Sequence, residues 1–567
     1  MNWRRLRASL ASGLALAAVA AACTPSSPPG PAPSPTQPAA APAAAPTTAP
    51  ALAPTVVAAK PAQPPADAKP SQPLSPAKPT TLVFISLSEP SRLNPIVAPD
   101  VQTKAILTAI FDGLVRVNDK MELQPELAAS FDVAPDGKQY TFKLRPGAKW
   151  HDGKDVTSAD VKFTFDTIRN ADVKGTIAKT DYAAVEEIAA PDAATVVFKL
   201  KTPDASFLSK LAVGVAPRHL LEGQDLVNAE FNRKPVGSGP YRVEEWTAGQ
   251  QIVLVANPTY FGTKPSIERI VYKLVKDSNV LVVQLTNGEA DAGALPAGDV
   301  ARLRREQKLS FAESVDANTY IGFQLENPLF QDPRVRQALS YAIDRKAIVD
   351  KLLEGNGLVS TSDVMPNSWA YNGGVNAYPL DAARAGALLD EAGWNRGADG
   401  VRQKGGQPLK FALLSNSGDK TREEVILLVR QAWKQIGVEM EPQFLELNTF
   451  INERVLKSNF EAIFLSTSVA VDPDMSRRYH SRSLTNGNNF LRYKNADVDA
   501  LLDKGLLQTE QAERKATYFK IQEILANESA ILPLYYPKVV YGTRAGLEGF
   551  KPAPQNPFWN VEEWRLR

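Results

Sequence analysis

From Thr81 onward, short apolar runs alternate with longer stretches in which apolar side chains recur every three or four positions. Thr81-Leu82-Val83-Phe84-Ile85 is a brief continuous run and predicts a buried strand. Thr157 with Asp160 forms a capping box and predicts a helix over Val161 to Ile168. Asp332-Pro333 pairs an N-cap with a proline at the first helical position. The helix it opens carries Val335, Leu339, Ala342 and Ile343 on one face. Asp381 opens another, closed by Gly393, and a third runs from about Arg422 to Ile436, stopping at Gly437. Trp433 shares the spacing of Val429 and Ile436 and is expected in the core. Val438 to Phe444 then reads as a strand, Asp497 to Leu507 and Ala512 to Asn527 as helices, and Leu532 to Tyr536 and Val539 to Tyr541 as two strands. Strands alternating with capped helices imply α/β layers.

The first 79 residues follow neither period. Arg4, Arg5 and Arg7 precede an apolar stretch, Ala8 to Ala20, that is too short to span a bilayer stably. Ala20, Ala21 and Ala22 then lead to Cys23, the only cysteine in the chain. This order resembles a lipoprotein leader, so residues 1–22 are expected to be removed and Cys23 lipidated, anchoring the protein to a membrane outside the cytoplasm. Residues 24–79 are nearly all Pro, Ala, Ser, Thr and Gln, with Lys60-Pro61, Lys69-Pro70 and Lys78-Pro79 recurring. Such a composition cannot offset chain entropy and predicts a tether, residues 23–79 including the lipidated cysteine. Fully extended it would reach about 170 Å, at about 3.1 Å per residue.

Charge and length narrow the function. The chain has 567 residues, which implies two or three packed domains. Lys and Arg number 64 against 62 Asp and Glu, without a basic block beyond the leader, so no nucleic-acid partner is expected. No cysteine remains for disulfides, and His151, His219 and His480 are the only histidines; neither a metal nor a cofactor is expected. G-x-S-x-G, H-E-x-x-H and P-loop motifs are missing, which disfavours a secreted hydrolase. Paired carboxylates for glycoside cleavage stay open on spacing alone.

A series of motifs then occurs in order: Leu93-Asn94-Pro95, Phe111-Asp112-Gly113-Leu114, Leu123-Gln124-Pro125-Glu126-Leu127-Ala128-Ala129-Ser130, and Pro135-Asp136-Gly137 before Tyr140-Thr141-Phe142. Trp150-His151-Asp152-Gly153-Lys154, Pro235-Val236-Gly237-Ser238-Gly239-Pro240-Tyr241, Asn257-Pro258-Thr259-Tyr260-Phe261, Asp332-Pro333-Arg334-Val335-Arg336 and Tyr341-Ala342-Ile343-Asp344-Arg345 follow. Together they resemble the family 5 solute-binding proteins of peptide and nickel ABC importers, over almost all of residues 81–567. The resemblance implies an α/β fold of the type II periplasmic-binding-protein class: two lobes joined by crossing strands and a hinge, plus an extra subdomain. By that analogy lobe I covers 80–118, 235–325 and 533–567, the subdomain 119–234, and lobe II 326–532. A solute is enclosed as the lobes close, and a membrane permease is the protein partner. A monomer that performs no catalysis is expected.

The resemblance also suggests ligand contacts. Glu89, Ser91 and Arg92 follow the first strand, where the family's first lobe lines its cleft. Ser466, Thr467 and Asp472 lie in a strand and loop that runs along the ligand in peptide binders. There the family's ammonium-pairing aspartate is replaced by Val469, which counts against ordinary α-amino recognition because a buried ammonium needs a counter-charge. Arg422 stands near a family arginine that takes a carboxylate bidentately. Trp369 and Tyr371, in the loop from Met365 to Pro379, are placed to stack on a ligand. Oligopeptides are the leading solute; an oligosaccharide, a nickel complex and a sensory role remain alternatives.

Overall fold

A computed structural model describes residues 80–567 apart from 99, 100, 177, 178, 469 and 487. The leader, Cys23, the tether and Val469 therefore lie outside the described residues. The described chain belongs to one unit, Pro76–Arg567.

Local signals and observed elements agree closely at the helix starts. Asp160 Oδ2 accepts the Thr157 backbone N–H at 2.9 Å, opening the helix Ser158–Arg169. Asp332 accepts the Arg334 N–H at 2.9 Å at the head of Pro333–Tyr341. Asp381 caps Ala382–Glu391 and Asp419 caps Lys420–Gln435, each by accepting a backbone N–H. Gly437, at φ +84°, takes the left-handed conformation that lets the chain leave the latter helix.

The main sheet has 12 strands. One half holds Tyr241–Thr247, Gln251–Ala256, Arg269–Leu274, Thr81–Ser86 and Ala292–Ala294; the other holds Ala317–Phe323, Ala462–Ser468, Lys410–Asn416 and Glu439–Leu445. These halves are the sheets of the two lobes. One 13-residue strand, Ile531–Thr543, serves both. Its first part pairs antiparallel with Ala317–Phe323, and its last part with Ser310–Val315 and Ala292–Ala294. The consecutive strands Ser310–Val315 and Ala317–Phe323 thus form, with Ile531–Thr543, a two-passage ribbon between the lobes.

That long strand corrects the expectation of two short ones. Proline lacks a donor and is disfavoured inside a sheet, so Pro537 reads as a break. Pro537 instead falls where the ladder changes partner, between Tyr535 opposite Thr319 and Lys538 opposite Val315. Pro533 lies beside a register shift in the same ladder. Pro537 itself stands opposite Gly357, at the end of the short ladder that Gly357–Val359 adds to this strand.

A separate four-stranded antiparallel sheet, ordered Ala128–Val133, Gln139–Leu144, Thr195–Leu200, Val185–Asp192, packs against the helix Ser158–Arg169. Its buried Phe142, Phe165 and Phe198 belong to the same apolar cluster as Ile110, Tyr241 and Trp564 of the first lobe. This subdomain therefore shares a core with lobe I. Lobe II has its own, built on Phe323, Val335, Leu339, Phe411 and Trp433, with the Trp433 indole N–H donating to the Leu339 carbonyl at 2.9 Å.

Candidate functional site

Between the lobes runs a series of adjoining cavities. The largest, about 720 Å³, lies between Tyr140 and Leu208 of the subdomain and Trp369, Asp472 and Arg514 of lobe II. Through Met121, Ser209 and Val471 it adjoins a second of about 430 Å³, walled by Phe111, Arg116, Glu126, Tyr182 and Trp559. Ser368 and Asp472 join the first to a third of about 230 Å³ beneath Asp363, Thr467 and Arg478. Asn367 joins it to a fourth of about 390 Å³ beside the Ser310–Val315 passage. Both lobes and the subdomain contribute walls, so this is a cleft that changes shape with the lobe angle.

The lobe II wall carries two arginine–carboxylate pairs. Arg514 donates to both oxygens of Asp472 at 2.9 Å each, and its guanidinium lies 5.4 Å from the ring centres of Trp369 and Tyr518. Burial pushes the Asp472 carboxyl up and the Arg514 hydrogen bonds pull it back. Arg478 donates to Asp363 and to Thr467 Oγ1, at 2.7 Å each, and lies over the Tyr320 ring. Asp363 also accepts from the Asn318 amide at 2.9 Å and from the Tyr479 hydroxyl. Such pairs are fixed in place before any ligand arrives.

The opposite wall is organised differently. Asp112, fully buried, accepts from Ser238 Oγ at 2.7 Å and Tyr260 Oη at 3.0 Å. Desolvation outweighs these neutral donors and raises its carboxyl to about 6. Glu126 Oε2 accepts the Gly113 N–H at 2.7 Å, and burial with the nearby Asp112 pushes it well above the usual carboxylate range. Arg116, the guanidinium of this group, donates to Glu562 at 2.6 Å.

Of the residues singled out in the sequence, Trp369, Thr467 and Asp472 line these cavities. Ser466 is one step back, sharing a hydrogen bond of 2.8 Å with Thr319. Tyr371 packs against the same apolar cluster as Trp369, and its hydroxyl meets Thr361 at 3.1 Å. Arg422 bonds to Asn416 and lies over Phe464. Glu89 accepts from the Trp246 indole at 2.9 Å and the Gly249 N–H at 3.1 Å, tying its loop to the hairpin of lobe I. Ser91 donates its backbone N–H to Thr103 Oγ1 at 3.0 Å. Arg92, in the same loop, is half-buried.

Glu126, Arg478 and Arg514 are cleft residues that the sequence reading did not single out as contacts. One signal was available. Arg514 sits in register with Thr517, Tyr518, Ile521 and Leu525 on the buried stripe of Gln511–Asn527, and an arginine on such a stripe needs an acidic partner.

The histidines have separate partners. His151 Nδ1 accepts the Gly237 N–H at 3.1 Å, His219 meets Asp152 at 2.7 Å, and His480 lies between Asp499 and Asp503. Among the described residues, no group of three or more metal-ligating side chains is placed to hold an ion. Among the same residues, no helix is long and apolar enough to cross a membrane.

Comparison with known proteins places these features in a family. The family model described as bacterial extracellular solute-binding proteins, family 5, middle, matches residues 122–489. The oligopeptide-binding protein AppA of Bacillus subtilis is 32% identical over 496 residues, covering 86% of this chain and 91% of that protein. The probable D,D-dipeptide-binding periplasmic protein DdpA of Escherichia coli is 29% identical over 83% of this chain and 91% of its own. Among solved structures, Bacillus subtilis AppA in complex with a nonapeptide superposes with a TM-score of 0.72 at 31% identity, covering 86% of this chain and all of that one. NikZ of Campylobacter jejuni with Ni(L-His) gives 0.74 at 27% identity, with the same coverage.

Proposed function

The chain belongs to family 5 of the bacterial extracellular solute-binding proteins, and on that premise we propose that it captures oligopeptides for an ABC importer. The single observation that carries the peptide reading is the cleft itself. Four cavities of about 230 to 720 Å³ adjoin along its length, a shape that suits an extended chain better than one compact solute. The likeness to a protein solved with a nonapeptide supports the same reading. Trp369 offers an aromatic surface and Thr467 a hydroxyl, while Asp472 is held by Arg514 and shapes the wall.

In this reading the lobes are 80–118, 235–325 and 533–567 against 326–532, with 119–234 riding on the first, except that Ala317–Phe323 and the first part of Ile531–Thr543 belong to the lobe II sheet. Closure about the two-passage ribbon encloses the peptide. The closed form is read by a permease, and nothing is turned over chemically. Residues 1–22 are a leader, and Cys23 carries a lipid that holds a monomeric binding unit on the outer face of the membrane at the end of the 23–79 tether.

Thermal unfolding of the purified chain with peptides, oligosaccharides and metal chelates tests the proposal. A ligand that binds only the folded state adds about 2.7 kcal/mol at a hundred times its Kd. A shift with peptides is expected; a shift confined to sugars or chelates would replace the peptide reading. Val469 keeps a second reading in view. An apolar residue at a position that resembles the family's ammonium-pairing aspartate favours a blocked peptide or a non-peptide solute, and N-acetylated peptides in the same screen separate the two.

A further inference from the structure

We propose that Glu126 forms a cation subsite on the cleft wall made by lobe I and its subdomain, receiving an amine of the bound solute. The proposal rests on the peptide reading above for the identity of that amine, an α-amino group or a lysine side chain.

The cavity of about 430 Å³ brings together aromatic walls, Phe111, Tyr182 and Trp559, with Val471 of lobe II closing the far side. Its charged lining is almost entirely committed. Arg116 is bonded to Glu562 at 2.6 Å, Lys210 to Asp204 at 2.7 Å, and Asp181 faces Arg477 at 3.4 Å. Lys104 is exposed on its helix. Glu126 takes one backbone N–H, from Gly113; among the described residues no lysine or arginine forms an ion pair with it. Behind it stands Asp112, held by the neutral donors Ser238 and Tyr260. Three carboxyls, those of Asp112, Glu126 and Glu562, therefore share the single guanidinium of Arg116.

A carboxylate in such a place lacks compensation, and burial together with Asp112 pushes it well above the usual carboxylate range. A ligand ammonium supplies the missing charge and pulls it back down. The same wall contains a second unfilled group of opposite demand: Arg116 Nε is buried and, among the described residues, has no hydrogen-bond partner. Buried donors normally find acceptors. An acid needing a cation beside an N–H needing an acceptor is the complement of an amine next to a carbonyl, which is the start of a peptide. Trp559, 5.5 Å from the Arg116 guanidinium, covers this group.

The test measures calorimetric affinities of the full chain for three probes: a lysine-free nonapeptide, its N-acetyl form, and an N-acetyl form carrying one lysine. Wild type is expected to bind at least one amine-bearing probe roughly tenfold more tightly than the capped one. That advantage should shrink as the solution is acidified, because protonating Glu126 removes the charge that pairs with the amine. Glu126→Gln is expected to lose both the advantage and its pH dependence, and its thermal unfolding beside that of wild type reports that it folds. The two amine-bearing probes distinguish an α-amino from a lysine source. Peptide binding without an amine preference in wild type, or a preference that survives Glu126→Gln, overturns the subsite and leaves the peptide reading standing. If none of the three probes binds, the peptide reading fails and takes the subsite with it.

Discussion

On the lobe II wall, Asp472 and Asp363 each face a guanidinium at 2.7 to 2.9 Å, whereas on the wall of lobe I and its subdomain, among the described residues, Asp112 has only hydroxyl donors and Glu126 only a backbone amide. Both walls bury carboxyls and therefore meet the same desolvation cost. Lobe II offsets it with fixed positive charge, which also locks Trp369 under Arg514. Lobe I and its subdomain leave it partly uncompensated, so their carboxyls are pushed up. One wall is thus prepared in advance for shape, and the other is prepared to respond to charge.

The comparison breaks most sharply if Arg514 is removed. Arg514→Met keeps much of the side-chain bulk but leaves the Asp472 carboxyl buried without its partner. The loss of stability should be about 3–5 kcal/mol, the usual cost of stranding a buried charge. Adding Asp472→Asn should restore a large part of it, because the stranded charge is then gone. Chemical denaturation of wild type, the single variants and the pair checks this. A single-variant loss below about 1 kcal/mol would mean that the pair is not what organises this wall.

The lobe I wall should answer to pH. Asp112 has its carboxyl raised from an ordinary value near 3.8 to about 6 by desolvation. Between these values the folded state holds a proton that the unfolded state has released. The stability contributed is complete below the lower value and is lost as pH rises through about 6. Glu126 acts in the same direction, being raised by burial and by Asp112. Between pH 4 and pH 7 wild type should lose on the order of 2 kcal/mol relative to Asp112→Asn, which cannot titrate there. Unfolding free energies of both proteins across that range provide the check; parallel curves would contradict the assignment.

How much of this could be read from the chain follows from how far apart the partners lie. The helix caps Asp332, Asp381 and Asp419 act within a few residues, and their helices were legible. Trp433 was legible as core because helical spacing exposes it. The long strand Ile531–Thr543 was not, since Pro537 looks like a break until its place between two ladders is known. The cleft divides in the same way. Trp369, in a loop of turn-forming residues, invited attention, and it lines the largest cavity. Glu126 sits inside a motif that reads as fold, and the environment that distinguishes it comes from Arg116 and Glu562, 446 positions apart. Glu89 and Arg422 carried suitable charges, but those charges meet nearby groups, Trp246 and Gly249 for one and Asn416 for the other. Residue type suggests what a side chain could bind; only packing shows what it already holds.

The smallest effect concerns the contact between the walls. Arg477 of lobe II and Asp181 of the subdomain approach to 3.4 Å, and between the same two bodies the Ala205 N–H donates to the Leu506 carbonyl at 2.9 Å. The Arg477 side chain is 62% exposed, so water and salt screen the pair strongly. It contributes little to folding, and because the two residues lie on opposite sides of the cleft, what it does contribute favours the closed arrangement. Arg477→Ala should therefore leave the denaturation midpoint of the ligand-free protein within experimental error. It should weaken solute binding by less than about fivefold, equivalent to under about 1 kcal/mol. The loss should appear mainly as faster ligand release and should fade at 1 M salt, where charges this exposed no longer attract across such a gap. A loss that persists unchanged at high salt would show that Arg477 touches the solute itself, and would turn this contact from a latch between the walls into part of the lobe II binding surface.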